Sequence, residues 1–297
     1  MTFPLVIDVS HWNGPADWNQ VKAKGVSAAI IRAGSIDDAT GICYKDWEIE
    51  RHLAGARSVK MPYAFYWYFR PKYSGVLQAE YFSYLMNDLN IPVCTAVTAD
   101  VEVSGVNPEQ TAGTILDFMT VLPSPIIYTR QSFWDSNVAP YPNWNMCNLW
   151  AARYNTALTG PWSDGHFVFR DWDTWKFWQF SSTGLAVDYG FDPNAYNPHN
   201  LDANGVSRGY SKALDLSYFN GTEAELLAYF GDQYPQAEPP PAPVDPLEDV
   251  KLRLVALEET VMQSRESIAL HSKEIEDLIT ALKDNLPKNT WPQGGAG

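Results

Sequence analysis

The sequence predicts an α/β fold, a modified TIM-like barrel of eight strands and about five helices, with an appendage at its C-terminal end. Three observations predict it. Strand and helix patterns alternate about five times from Leu5 onward, which is the signature of parallel strands joined by crossover helices. Three further strand patterns follow with little helix, bringing the number to the eight that closes a barrel. From Gly231 the composition breaks into a proline-rich stretch and then one long helical pattern.

The elements follow in order. Leu5 to Val9 reads as an apolar strand that runs into D-V-S-H-W-N-G at Asp8, where Asn13-Gly14 makes a turn. Asp17 to Lys24 is a short helix closed by Gly25. Val26 to Ala33 is almost continuously apolar, as in a sheet covered on both faces. Lys45 to Ala56 reads as a helix, Pro62 to Phe69 as an aromatic strand, and Val76 to Leu89 as a helix with a periodic apolar face. The strand T-A-D-V-E-V spans Thr98 to Val103. Asn107-Pro108-Glu109-Gln110 is a helix start, with Asn as cap and Pro in the first turn. That helix runs to about Val121. Ile126 to Thr129 is a strand and a short helix lies near Phe133. Leu149 to Tyr154, Trp175 to Phe180 and Ala213 to Ser217 are the last three strands. A long loop, Gly184 to Lys212, precedes the final strand, and Thr222 to Phe230 is a closing helix.

Composition narrows the function. Net charge is -14, which argues against nucleic acid or an anionic membrane as partner. No apolar run approaches the length of a membrane span. Cys43, Cys94 and Cys147 are widely spaced, so neither a disulfide framework nor a metal site is expected, and buried free thiols are. No cofactor motif is present. Aromatic residues make up 14% of the chain and crowd into the part before residue 231, which suits a core or a groove where sugar faces stack on rings. The N-terminus M-T-F-P-L-V-I-D is too short and uncharged for a signal peptide. The expectation is synthesis in a host cytoplasm and a separate route to the outside.

The chemistry is expected around Asp100 and Glu102. Residues i and i+2 of a strand share a face and lie ~7 Å apart. Two acids in a buried strand are costly unless a site uses them or local hydrogen bonds satisfy them. In such barrels chemistry collects at the C-terminal ends of the strands. Asp8 ends the first strand and Asp215 lies in the last, and these two strands are neighbours in a closed barrel. Four acids reaching one rim, with aromatics and no histidine cluster, point to glycoside hydrolysis, which needs a protonated acid beside an ionised carboxylate. Tyr66, Tyr128, Trp150 and Trp178 lie on strands, where each either lines a sugar groove or packs the core.

These residues carry a family resemblance. D-V-S-H-W-N-G at Asp8, D-V-E at Asp100 to Glu102, I-Y-T at Ile127, L-W-A-A-R-Y at Leu149, W-Q-F-S-S-T-G at Trp178 and L-D-L-S-Y-F-N-G at Leu214 occur in the order of glycoside hydrolase family 25. From Phe3 to about Phe230 the chain resembles these Chalaropsis-type lysozymes, or N-acetylmuramidases. The resemblance implies cleavage of the β-1,4 bond between N-acetylmuramic acid and N-acetylglucosamine in peptidoglycan. It implies Glu102 as general acid/base, Asp100 as its carboxylate partner, and Asp8 and Asp215 as flanking acids. Where many members carry histidine in a Y-H-F strand motif, this chain has Tyr66. Burial is expected to keep Glu102 protonated while Asp100 stays ionised. The substrate's 2-acetamido group permits substrate-assisted retention, and a direct aspartate nucleophile is the competing mechanism.

The expected organisation is a catalytic barrel over 1–231, a linker over 232–246, a coiled-coil helix over 247–286 and a disordered tail over 287–297. With Leu247 at position a, the other a sites are Leu254, Val261, Ile268, Ile275 and Leu282, all aliphatic. The d sites are Val250, Leu257, Ser264, His271 and Leu278. That heptad predicts a dimer or trimer with avidity for one wall. The setting expected is a phage endolysin, released through a holin or carried on the virion. A reading from another class is a catalytically inactive wall-binding or virion structural module, which would have no need to keep Glu102.

Overall fold

In the computed structural model, residues 3–91, 97–122, 125–154 and 169–230 are described, together with Lys273 and Thr280. The barrel is built from β1 (Leu5–Val9), β2 (Val26–Ile36), β4 (Tyr63–Tyr68), β5 (Val97–Asp100), β6 (Ile126–Thr129), β7 (Asn148–Ala152), β8 (Phe177–Leu185) and β9 (Ala213–Phe219), and β3 (Cys43–Lys45) adds to β2. The sheet order is β1-β9-β8-β7-β6-β5-β4-β2-β3, and pairing of β1 with β2 closes it. The helices are α1 (Trp18–Ala23), α2 (Ile49–Ser58), α3 (Gly75–Asp88), α4 (Pro108–Val121), α5 (Gln131–Asn137) and α6 (Glu223–Phe230).

Helix ends follow the sequence chemistry. Asp17 caps α1 by accepting from the Asn19 and Gln20 amides. Asn107 caps α4 by accepting from the Gln110 amide at 2.7 Å, with Pro108 in the first turn. Both satisfy donors that a helix start leaves open.

Strand alternation sorts the barrel into two cores. Outward residues such as Ile7, Ile31, Phe65, Trp67, Ile127 and Leu149 pack under the helices. Inward residues Val6, Ile30, Ala64, Ile126, Phe177 and Phe219 fill the lower barrel. Phe230 of α6 joins them, stacking on Phe177 with centroids 5.8 Å apart. Two residues further along the same inward faces stand Asp8, Arg32, Tyr66, Tyr128 and Gln179. The barrel is therefore sealed by apolar side chains at one end and polar at the other.

The structure departs from the expected topology in two places. Six pairings around the barrel are parallel, but β9 is antiparallel to both β8 and β1. A parallel return needs a crossover of a dozen or more residues, usually a helix. The segment after β8 carries only a 3-10 turn, Ala186–Tyr189, so the chain stays at the upper rim and β9 runs back down. The second departure is β3, in residues expected as loop and helix start; α2 begins only at Ile49. β3 pairs antiparallel with the upper part of β2. Gly34 permits this approach, since a Cβ there would meet the Tyr44 backbone oxygen at 2.1 Å.

Cys43 and Cys147 are free thiols, and Cys94 lies outside the described residues. No helix among the described residues is long and apolar enough to cross a membrane. Residues 236–297 form a separate unit. Within it Lys273 and Thr280 are helical and exposed. The expected linker, tail and heptad positions lie outside the described residues.

Candidate active site

The polar end of the barrel opens into a cavity of about 590 Å³. Asp8, Asp100, Glu102 and Asp215 all line it. Asp8 ends the inward face of β1, and Asp215 is its direct cross-strand partner on β9. Asp100 is the last residue of β5, so Glu102 lies just past the strand end, not within it. Tyr66, Tyr128 and Trp150 also line the cavity. Trp178 does not. Alternation on β8 turns it outward into the core, beside Trp175 and Tyr218, with Nε1 donating to the Arg153 carbonyl at 2.9 Å. The expectation of a groove-lining Trp178 is corrected by one position, because its neighbour Gln179 faces the cavity.

Gln179 ties three cavity groups together. The hydroxyls of Tyr128 and Tyr154 both donate to its Oε1 at 2.8 Å. Its Nε2 donates to Asp8 Oδ2 at 3.0 Å. An amide oxygen only accepts, so both tyrosine protons are committed to Gln179 and its own N–H is directed at Asp8. Trp150 is fixed by its Nε1, which donates to Ser217 Oγ at 3.0 Å.

A second cluster joins His11, Arg32 and Asp46. Fully buried Asp46 accepts from the His11 amide at 3.1 Å, and its Oδ2 lies 2.8 Å from His11 Nδ1 and 3.0 Å from Arg32 Nε. Burial pushes Asp46 up, but His11 and Arg32 outweigh it and hold the carboxyl below its usual range. His11 and Arg32 present their other edges to the cavity. Neither this cluster nor Gln179, Tyr68 or Tyr154 was expected from the sequence. The available signal was the isolated polar residue in each apolar strand.

The four acids sit in one field. Burial raises Asp8 well above its ordinary value, with the Asp215 and Glu102 charges adding to it and the Gln179 hydrogen bond opposing. Burial likewise raises Asp100, helped by Glu102 and Asp8. Asp100 Oδ1 is buried with no hydrogen-bond partner among the described residues. Burial raises Glu102 too, against the Tyr68 hydroxyl, Arg130 and Arg70. Burial thus pushes Asp8, Asp100 and Glu102 in the same direction, opposed at Asp8 by Gln179, at Asp100 by Arg32 and at Glu102 by Tyr68, Arg130 and Arg70. As a set, the carboxyls keep protons at pH values where isolated ones have lost them. Among the described residues no group of His, Cys, Asp or Glu is placed to hold a metal ion.

Carboxyls that share protons above a barrel's C-terminal rim are the equipment of glycoside hydrolysis. The family model described as Glycosyl hydrolases family 25 matches residues 7–189. The chain belongs to glycosyl hydrolase family 25. This family 25 enzyme is a lysozyme, or muramidase, by kind. It is 27% identical over 241 residues to Lysozyme M1 of Streptomyces globisporus, covering 75% of this chain and 69% of that one. It superposes on the bacterial lysozyme of Streptomyces coelicolor with a TM-score of 0.58 and 25% identity, covering 79% of this chain and 100% of the other. The fold is shared with a family GH25 lysozyme of Aspergillus fumigatus, with a TM-score of 0.56 and 21% identity over 77% and 99% of the two chains.

The lysozyme's acids make its stability depend on pH. Burial and the Glu102 charge push Asp215 from an ordinary value of 3.8 up to about 6. A carboxyl raised by folding keeps a proton that the unfolded chain has released, so stability is lost as pH rises from about 4 to about 6. Asp215→Asn should therefore raise the melting temperature at pH 7 and leave it nearly unchanged at pH 4. The gain at pH 7 is at most about 3 kcal/mol, the value of two pKa units. Thermal unfolding of both proteins at the two pH values checks this, and an equal effect at both would contradict it.

Proposed function

We propose that the enzyme hydrolyses the β-1,4 bond between N-acetylmuramic acid and N-acetylglucosamine in peptidoglycan. The observation that carries this is the single cavity in which Asp8, Asp100, Glu102 and Asp215 meet beside Tyr66, Tyr128 and Trp150. Glu102 is the general acid. It is less enclosed than Asp8 and Asp100, and the Tyr68 hydroxyl, Arg130 and Arg70 act on its carboxyl. It gives its proton to the glycosidic oxygen as the C1–O bond breaks. The acetamido oxygen of the same sugar closes on C1, and the unpartnered Oδ1 of Asp100 is suited to accept the acetamido N–H. Water then attacks C1 and returns a proton to Glu102, with net retention. Asp8 and Asp215 support this charge arrangement. Loss of turbidity of purified cell walls tests the reading, and a folded enzyme that leaves walls intact would contradict it.

We propose also, from the sequence, that the enzyme serves as a phage endolysin. Lysis on expression in a host only when a holin is co-expressed would support this, and equal lysis without the holin would contradict that route. The heptad from Leu247 to Leu282 is proposed to make a dimer or trimer, supported by aliphatic residues at every a site. The full chain should sediment as an oligomer at micromolar concentration and a chain ending at Tyr234 as a monomer. Two monomers would contradict the coiled coil.

A further inference from the structure

A second recess of about 390 Å³ opens beside the catalytic cavity. It is lined by Ile36, Asp37, Asp38, Tyr44, Trp47 and Arg70. Tyr44 and Arg70 line the catalytic cavity as well, so they form a wall common to both. The recess exists because β2 continues to Ile36 and turns back through β3, an addition that barrel closure does not require.

The walls are held in place. Arg32 Nη2 donates to the Tyr44 hydroxyl at 3.0 Å. Arg70 lies over the Tyr68 ring at 4.7 Å and pairs with Asp38 at 3.4 Å. Its Nε is buried with no hydrogen-bond partner among the described residues. The Asp37 carboxyl accepts from the Thr40 hydroxyl at 2.7 Å and amide at 2.8 Å, which hold it below its usual range and ionised. The Trp47 ring lies tilted against His11, with centroids 3.9 Å apart, and against His199, 4.5 Å apart.

The chemistry of the recess differs from that of the cavity. The cavity concentrates acids. The recess sets one cation, Arg70, beside the two exposed carboxylates of Asp37 and Asp38, with Ile36 and Trp47 as its apolar side. Two imidazoles lie tilted against Trp47, which stays partly exposed beside them. A bare muramic acid unit offers one carboxylate, on its lactyl group, but no ammonium to meet Asp37 and Asp38. A peptide branching sideways from a bound sugar offers both, along with backbone carbonyls for Arg70.

We propose that this recess binds the peptide stem carried by the muramic acid residue, with Arg70 taking a stem carbonyl or carboxylate and Asp37 and Asp38 a free amine. The proposal rests on the muramidase reading. It makes the β2–β3 hairpin a specificity element that distinguishes stem-bearing from bare glycan.

The test compares two substrates, intact peptidoglycan glycan and the same glycan stripped of its stems by an amidase. The wild-type enzyme should cleave both, with the higher kcat/KM on the stem-bearing form. The double substitution Asp37→Asn with Asp38→Asn keeps shape and turn geometry while removing both charges. It should lower kcat/KM on the stem-bearing substrate roughly five- to tenfold, as expected for losing two solvent-accessible ion pairs, and leave the stripped glycan unaffected. Asp38→Trp, which fills the recess, should do the same. Equal losses on both substrates, no loss on either, or a wild-type enzyme indifferent to the stem would each overturn the proposal. A wild-type enzyme inactive on both would overturn the muramidase reading itself.

Discussion

Glu102→Gln lowers wall hydrolysis by about 10²–10⁴-fold, the usual contribution of a general acid. Gln fills the same space, and the Tyr68 hydroxyl still finds an amide oxygen to donate to. The fold should persist, because Glu102 lies beyond the end of β5 and its removal relieves charge on Asp8, Asp100 and Asp215. The loss should depend on the leaving group. A substrate with an activated aryl leaving group needs no proton on the departing oxygen, so the variant should recover much of its rate there. A uniform loss across leaving groups would assign Glu102 to binding. Near-wild-type lysis by the folded variant would remove it from the chemistry.

Asp100→Asn should reduce kcat by about 10²-fold or more with little change in KM. Asp100 is buried at the floor of the cavity with one oxygen lacking a donor. In the resting site that oxygen is costly to ionise. It becomes useful when a substrate N–H and a developing positive charge arrive together. Asparagine keeps the shape but cannot supply the negative charge, so the loss falls on the transition state rather than on binding. The variant should also melt no lower than wild type at pH 7, since a strained carboxyl has been replaced by a neutral amide. Asp8→Asn and Asp215→Asn should be milder. Steady-state kinetics across the series checks the order, and a larger loss at Asp8 than at Glu102 would reverse the assigned roles.

Much of this arrangement was legible in the sequence. Strand and helix alternation locates the barrel strands, and closure puts Asp8 beside Asp215, as their cross-strand pairing shows. The Asn107-Pro108 start of α4 is written in its cap chemistry. The direction of β9 was not read, although the helix-free loop before it, Gly184 to Lys212, already carried that signal. Nor was β3, a three-residue strand without alternation that returns against Gly34 as the second arm of a hairpin.

The side of β8 that faces the cavity was the most consequential gap. A strand covered on both faces shows no polar alternation, so a one-residue choice decides between Trp178 and Gln179. The hydrogen bonds that link Tyr128, Tyr154, Gln179 and Asp8 join separate strands, and no local window contains them. The rise of Asp8 together with Asp100 and Glu102 was hidden for a related reason. It is set by burial and by charges summed over the whole cavity, whereas a motif such as D-V-E shows only two of the acids.

The most direct test of the central claim is the identity of the new reducing end. Purified peptidoglycan is digested with wild-type enzyme and with Glu102→Gln, the products are reduced with borohydride, and the sugar alcohols are identified after acid hydrolysis. The account predicts muramicitol from the wild type and none above background from the variant. Glucosaminitol from the wild type, or muramicitol in equal yield from both proteins, would contradict it.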